Sequence, residues 1–206
     1  VTPAKRAFDL ALAALALAVL AVPFLALVLF LLAVQGRPLF HASERMRAPG
    51  RAFTLWKLRT MTPAAADAGV SGGDKAGRVT PAGRWLRRFR LDEIPQLWNI
   101  LRGEMSFVGP RPPLRQYVDR FPETYARVLR SPPGITGLAT LVLHGWEDRI
   151  LSACRTARET DAVYARRSIP RKARLDLIYQ RHASVGFDAA LLLRTAARLI
   201  RPHRPR

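Results

Sequence analysis

Cysteine is almost missing from this chain: Cys154 stands alone among 206 residues. A single thiol can close no internal disulfide and build no cysteine metal cluster, and such usage suits a reducing compartment or the cytosolic face of a membrane. Histidine is also scarce, with four residues and no metal-type clustering. Neither G-x-x-x-x-G-K-[ST] nor G-x-G-x-x-G occurs, which removes the P-loop and the dinucleotide-binding fingerprint. There is no internal repeat. Acidic residues are few, 15 against 34 Lys and Arg, for a formal net charge of +19. Nearly all the cations are Arg. Solvated surface charge would account for this, and so would a polyanionic partner: nucleic acid, anionic lipid headgroups or a phosphorylated substrate. Charge by itself does not choose among them.

What the chain has in excess is one apolar block. From Leu10 to Val34 no residue is charged; Lys5 and Arg6 precede the run and Arg37 follows it. About 25 residues in helix reach ~37 Å, more than the ~30 Å hydrocarbon core of a bilayer. The block is too long for a signal peptide and lacks a clean A-x-A cleavage site. A straight transmembrane helix is the default reading. Pro23, however, divides the run into halves of ~18–20 Å, neither of which spans, so a re-entrant hairpin is the competing reading. Physics alone favours the span, because membrane helices tolerate proline. Asp9 lies one turn after Lys5 and Arg6 and is expected to pair with either.

The remainder is polar and basic. Arg51–Met61, RAFTLWKLRTM, reads as a strand whose Lys57 and Arg59 share a face if extended. Residues 62–77, rich in Ala, Gly and Ser, read as a loop. Thr80-Pro81 opens a helix, with Thr as cap and Pro at the first position. In that helix Trp85 and Phe89 share a face among Arg84, Arg87, Arg88 and Arg90. In LDEIPQLWNILRG, Asp92 is expected as N-cap and Glu93 in the first turn, with Gly103 closing the helix. Two carboxylates at a helix N-terminus favour ionised Asp and a bound phosphate; as an isolated motif they also fit a plain cap. The short strand Met105–Val108 runs into Gly109-Pro110-Arg111-Pro112, a stiff turn presenting an Arg suited to bidentate phosphate contact. Near the C-terminus, Asp188 is expected to cap an amphipathic helix bearing Arg194, Arg198 and Arg201.

Taken together, these segments resemble the monotopic phosphoglycosyl transferases, or bacterial sugar transferases. The resemblance rests on KRAFDL at Lys5–Leu10, WKLRTM at Trp56–Met61, LDEIPQLWNILRGEMSFVGPRP at Leu91–Pro112 and PGITGL at Pro133–Leu138, and covers nearly the whole chain. It implies an α/β fold, mostly helical with a small sheet. Residues 1–36 would form a re-entrant membrane hairpin broken at Pro23, and residues 37–206 a compact membrane-surface catalytic domain with amphipathic helices. The activity implied is transfer of a sugar 1-phosphate from a UDP-sugar to polyprenyl (undecaprenyl) phosphate through an aspartyl-phosphosugar. Asp92 would be the nucleophile, and Glu93 its acidic neighbour and Mg²⁺ ligand. Arg87 and Arg111, with Lys57 and Arg59, would bind phosphate. The place implied is the cytoplasmic face of the bacterial inner membrane, with no nucleic acid as partner. Two departures stand out: Val22 precedes Pro23 where the family commonly has Ser, and residues 139–150, ATLVLHGWEDRI, follow no family pattern. The alternative from a different class is a membrane-anchored, Arg-rich nucleic-acid-binding or scaffold protein.

Overall fold

The structure is a computed structural model and describes residues 2–64 and 69–200. It is mostly helical with little sheet, as expected. Helix α1 runs from Pro3 to Gln35, with Thr2 Oγ1 accepting from the Lys5 amide at its start and Gly36, at φ +61°, turning the chain out of it. At 33 residues α1 is ~50 Å long. Its most apolar stretch has a mean hydropathy of 3.0, and among the described residues no other helix is long and apolar enough to cross a membrane. Helical backbone runs through Pro23 without interruption.

After α1 come the antiparallel strands β1 (Phe40–Ala48) and β2 (Arg51–Leu58), helix α2 (Pro81–Arg88), helix α3 (Gln96–Leu101) and strand β3 (Ser106–Val108). Helices α4 (Arg115–Arg120) and α5 (Pro122–Val128), strand β4 (Gly134–Thr136) and helices α6 (Leu138–Ser152), α7 (Ala157–Val163), α8 (Ile169–His182) and α9 (Val185–Ile200) complete the order. The loop expected over 62–77 is partly structured. Gly73–Arg78 form a 3₁₀ turn in which Asp74 accepts from Thr160 Oγ1 at 2.8 Å; residues 65–68 of that expectation lie outside the described residues.

Both ends of α1 are packed on one body. Ala13 is buried with Phe53 and Leu55 of β2 and Leu97 and Ile100 of α3. Near the other end, Leu31 is buried with Leu39, Leu58 and Leu86. A separate core, holding Tyr117, Tyr125, Tyr164 and Ile169, lies under α4, α5 and α8.

The charged residues at the start of α1 are structural. Asp9 does not take the expected Lys5 or Arg6 as its partner; it accepts from Ser106 Oγ at 3.0 Å and from the Phe107 amide at 3.2 Å. Arg6 donates to the Ile100 and Leu101 carbonyls, where the negative end of α3 suits a cation. Lys5 pairs with Asp188 and donates to the Val108 carbonyl at 3.2 Å. Asp188 is therefore not the cap of α9; Ser184 is, its Oγ accepting from the Phe187 amide at 3.2 Å. Of the arginines expected on α9, Arg198 donates to the Leu141 carbonyl, and Arg201 lies outside the described residues. Asp188 is fully buried. Asp188→Asn keeps the shape and an acceptor for Tyr179 but leaves the Lys5 ammonium buried without a counter-charge. Breaking a buried pair from one side costs about 3 kcal/mol, so Tm should fall by roughly 6–12 °C for a chain of this size. A thermal melt in detergent reads it, and an unchanged Tm would mean that the pair does not hold α1 to the body.

Candidate active site

Three chain segments meet at Asp92 and Glu93. The first is the hairpin. Register pairs Lys57 with His41 and Arg45 with Phe53, so Lys57 and Arg45 lie on one face of the ribbon. Asn99 ties this hairpin to α3: its Oδ1 accepts from the Trp56 amide at 3.3 Å and its Nδ2 donates to the Thr54 carbonyl at 2.8 Å. Asn99 is completely buried, so those bonds are shielded from water.

The second segment carries the carboxylates. Asp92 is not the N-cap of an α-helix. Leu91–Glu93 form a 3₁₀ turn, and α3 starts only at Gln96. The cause is Pro95, which has no N–H to donate to the Leu91 carbonyl. That carbonyl instead accepts from Ile94 at 3.3 Å, the shorter 3₁₀ bond. Arg90, just before the turn, adopts a left-handed backbone at φ +55°. Such strain in a non-glycine residue persists only where its surroundings hold it, and it concentrates at functional sites. Here the Arg90 guanidinium is held by Glu93 Oε2 at 2.5 Å and by the Ile135 carbonyl at 3.1 Å.

The third segment delivers Arg111. Strands β3 and β4 pair in parallel, Ser106 with Gly134 and Val108 with Thr136. This joins the FVGPRP and PGITGL segments. The crossing requires bare backbones: a Cβ on Gly109 would lie 2.1 Å from the Pro132 carbonyl oxygen, and one on Gly137 would lie 2.2 Å from that of Gly109. Lys5 and Asp9 pin β3 from the other side, so the charged start of α1 fixes the strand that leads into the Arg111 turn.

The result is a buried carboxylate pair ringed by cations. Glu93 Oε1 faces Lys57 Nζ at 3.3 Å and Arg111 at 3.5 Å, and Oε2 takes Arg90. Burial alone would raise the Glu93 pKa, but Lys57, Arg111 and Arg90 overcome it and hold it at about 2. Asp92 is the opposite case. Burial dominates and raises its pKa, against the pull of Lys57, Arg111 and Arg87, and the Glu93 charge adds to the rise. Burial also lowers the pKa of Lys57, with Glu93 opposing. Arg87 presents its charge to Asp92 while its Nε donates to Thr60 Oγ1 at 2.9 Å.

The structure thus brings together Asp92, Glu93, Lys57, Arg87 and Arg111. Arg59 is not with them. It lies one residue past the end of β2, where its guanidinium donates to the carbonyls of Pro38 at 2.5 Å, Gln35 at 2.6 Å and Gly36 at 3.1 Å, closing the C-terminus of α1. Two cations were missed. Arg90 reads in the sequence as one more arginine of a basic helix. Arg45 gives no signal in FHASERMRA until the hairpin register places it with Lys57. A small cavity beside the carboxylates is lined by Arg45, Lys57, Gln96 and Arg111. Burial, then Arg111, push Arg45 down to about 10, so it still carries its charge near neutral pH. Three cations thus line a cavity beside the buried carboxylates.

Among the described residues no group of three or more His, Cys, Asp or Glu side chains is placed to hold a metal. Adjacent carboxylates still fit Mg²⁺ in the way it is often bound, through one or two carboxylates with substrate phosphates and water. A metal on Glu93 would share it with Lys57, Arg90 and Arg111.

The profile of the bacterial sugar transferase family matches residues 1–202. The uncharacterised sugar transferase EpsL of Bacillus subtilis (strain 168) is 40% identical over 141 residues, 66% of this chain and 67% of that protein. An undecaprenyl-phosphate glucose phosphotransferase of Komagataeibacter xylinus is 35% identical over 205 residues, covering 95% of this chain and 36% of the relative. A UDP-glucose:undecaprenyl-phosphate glucose-1-phosphate transferase of Escherichia coli (strain K12) is 32% identical over 195 residues, 93% and 39% respectively. The chain therefore spans little more than a third of the length of those two longer transferases. With the family profile running through nearly every residue that builds the site, this chain belongs to the bacterial sugar transferase family.

Proposed function

We propose that this chain moves a sugar 1-phosphate from a UDP-sugar to polyprenyl phosphate, with Asp92 as the covalent carrier, at the cytoplasmic face of a bacterial inner membrane. Such a reaction is the first membrane step in building a glycoconjugate. The observation that carries the reading is Asp92, buried beside Lys57, Arg87 and Arg111 on a body that also holds an exposed apolar helix. Both substrates are anions and repel each other, so a relay through a carboxylate divides the reaction into two feasible steps. The Asp92 carboxylate oxygen forms a bond to the sugar-bearing phosphorus. The bond from that phosphorus to the bridging oxygen breaks, and the electron pair leaves with UMP. An oxygen of polyprenyl phosphate then attacks the same phosphorus and returns Asp92 as carboxylate. Arg87, Arg111, Lys57 and Arg45 neutralise charge on the phosphoryl groups as it develops. Glu93 holds Lys57, Arg90 and Arg111 in position. Mg²⁺, when bound by the carboxylate pair and the diphosphate, would supply Lewis-acid charge neutralisation.

Support for entry and exit of α1 on one membrane face, with any bend at Pro23, comes from its two ends. Lys5 is bonded to Val108 and Asp188, and Gln35 Nε2 to the Arg59 carbonyl at 3.1 Å, all on one body. A straight crossing would put those ends on opposite sides of a ~30 Å core. Exposed Trp85 and Phe89, stacked edge-on with centroids 5.5 Å apart on a helix that packs against α1, suit the headgroup level.

The product decides the reaction class. Protein in detergent with Mg²⁺, a panel of UDP-sugars and undecaprenyl phosphate should release UMP in step with a lipid-linked diphosphate sugar. Release of UDP would instead mean ordinary glycosyl transfer and overturn the relay.

A further inference from the structure

Arg111 belongs to two groups of charged side chains. One is the carboxylate pair. The other lies where helices α6 and α8 pack together. Lys172 of α8 donates to Glu147 of α6, its Nζ 3.1 Å from Oε1 and 3.0 Å from Oε2, and to the Tyr164 hydroxyl at 3.4 Å. Glu147 and Tyr164 both act electrostatically on Arg111, and Tyr164 also acts on Arg45. Arg45 and Arg111 line the cationic cavity, so the group of Glu147, Lys172 and Tyr164 stands at its edge. We infer that this group binds hydroxyls of the donor's hexose; the inference rests on the preceding reading that the donor is a UDP-sugar.

Chemistry is the first argument. The group sets a carboxylate acceptor beside an ammonium and a phenol. A further phosphate would be repelled by Glu147, and a metal ion by Lys172 and Arg111. A neutral polyol suits both kinds of partner: one hydroxyl donates to Glu147 while its neighbour accepts from Lys172 or Tyr164. The Lys172 and Glu147 side chains are 12% and 17% exposed. That is shielded enough to strengthen a hydrogen bond and open enough for a ligand to reach it.

Unmet bonding capacity is the second argument. Tyr164 is buried and accepts from Lys172, yet among the described residues nothing accepts its own proton. It opens a π-helical stretch, Tyr164–Ser168, between α7 and α8. Within that stretch the Ser168 hydroxyl is fully buried and has no partner. Such wide turns are rare and recur at functional sites, and this one places a phenol within reach of Arg111 and Arg45. A salt bridge that only tied α6 to α8 would need neither the phenol nor the two arginines. The nucleoside is the rival occupant, and Arg111 favours the hexose. It lies 3.5 Å from Glu93 and in electrostatic reach of Glu147, so one side chain joins the two groups. The hexose is bonded to the phosphorus that Asp92 attacks, whereas the ribose is one phosphate further away.

The test reads binding, so it does not depend on turnover. Asp92→Asn protein in detergent with Mg²⁺ is titrated by calorimetry near pH 8 with UDP, UDP-glucose, UDP-galactose and UDP-N-acetylglucosamine. At that pH Asp176, which burial pushes up to about 7, is mostly ionised and remains as a counter-charge for Lys172 when Glu147 is replaced. At least one UDP-sugar should bind more tightly than UDP, which lacks only the hexose. Adding Glu147→Gln should weaken that UDP-sugar by about tenfold, and adding Tyr164→Phe by about fivefold, with UDP held within about twofold in both. Tyr164→Phe keeps the ring and its contact with Tyr117, so it decides the matter if the Glu147 variant does not fold. Arg166→Gln, exposed on the same turn, should change neither ligand. Equal weakening of UDP, unchanged UDP-sugar affinity in the variants, or no UDP-sugar binding more tightly than UDP would each overturn the hexose seat and leave the transferase reading standing. A parent protein that binds none of the UDP-sugars would overturn the donor itself, and this inference with it.

Discussion

Asp92→Asn protein should keep its fold and lose turnover by on the order of a thousandfold or more, because an amide cannot serve as the phosphoryl carrier. The structure sharpens the stability half of this expectation. Asp92 has a raised pKa, chiefly through burial. An acid that holds its proton more tightly folded than unfolded destabilises the fold once pH exceeds its ordinary value. Removing that charge therefore leaves Tm at pH 7 unchanged or higher, although activity collapses, which is the trade expected where a site stores instability for function. The raised pKa also sets the acid side of the pH–rate profile. Wild-type activity should fall as pH drops through the Asp92 value, above the range of an ordinary aspartate. In the absence of lipid, wild-type protein with donor should gain the mass of a sugar phosphate on the Asp92 peptide, and the variant should not. A folded Asp92→Asn protein turning over near the wild-type rate would remove the covalent relay.

Glu93→Gln is expected to do the reverse to stability. It leaves Lys57, Arg90 and Arg111 facing an uncharged amide at an enclosed site. One-sided loss of a buried ionic cluster costs about 3–5 kcal/mol; the half-exposed Arg111 brings the expected value to about 3 kcal/mol. Tm at pH 7 should fall by roughly 6–12 °C. The sign with pH follows from a folded value of about 2 against an ordinary 4.5. The contribution of Glu93 is fully present above 4.5 and is lost as pH falls from there through 2. The melting curves of wild type and variant should thus be far apart at pH 7 and converge toward pH 2–3. A constant difference across that range would mean that Glu93 acts through packing, and that the cations do not need it.

Much of the site was legible because its chemistry is local. Asp92 and Glu93 are neighbours, Arg111 is held in a Pro-flanked turn, and Thr80-Pro81 starts a helix as those residues dictate, with Thr80 Oγ1 accepting from the Gly83 amide at 2.9 Å. The errors arise where local signals compete. A carboxylate two residues before Ile-Pro looks like a cap, yet Pro95 converts the turn to 3₁₀ and removes the helix N-terminus that would have kept Asp92 ionised. Neighbouring cations pull in the same direction, but burial outweighs them. Arg59 reads as a partner of Lys57 by alternation, but the hairpin ends at Leu58 and frees Arg59 to close α1.

The sequence by itself determined the family, the carboxylate pair, the apolar N-terminal helix and the candidacy of Arg87 and Arg111 beside the pair, because these depend on residue type and short spacing. Only the tertiary structure decided that Lys5 and Asp9 serve β3, that Asn99 locks the hairpin to α3, that Arg45 and Arg90 join the site, and that β3 and β4 are paired. The strand pairing joins residues 28 positions apart and the Lys5–Val108 bond residues 103 apart, and nothing in a local pattern encodes which distant partner a buried polar group will find. What selects the partner is the demand that every charge taken from water meet its counterpart.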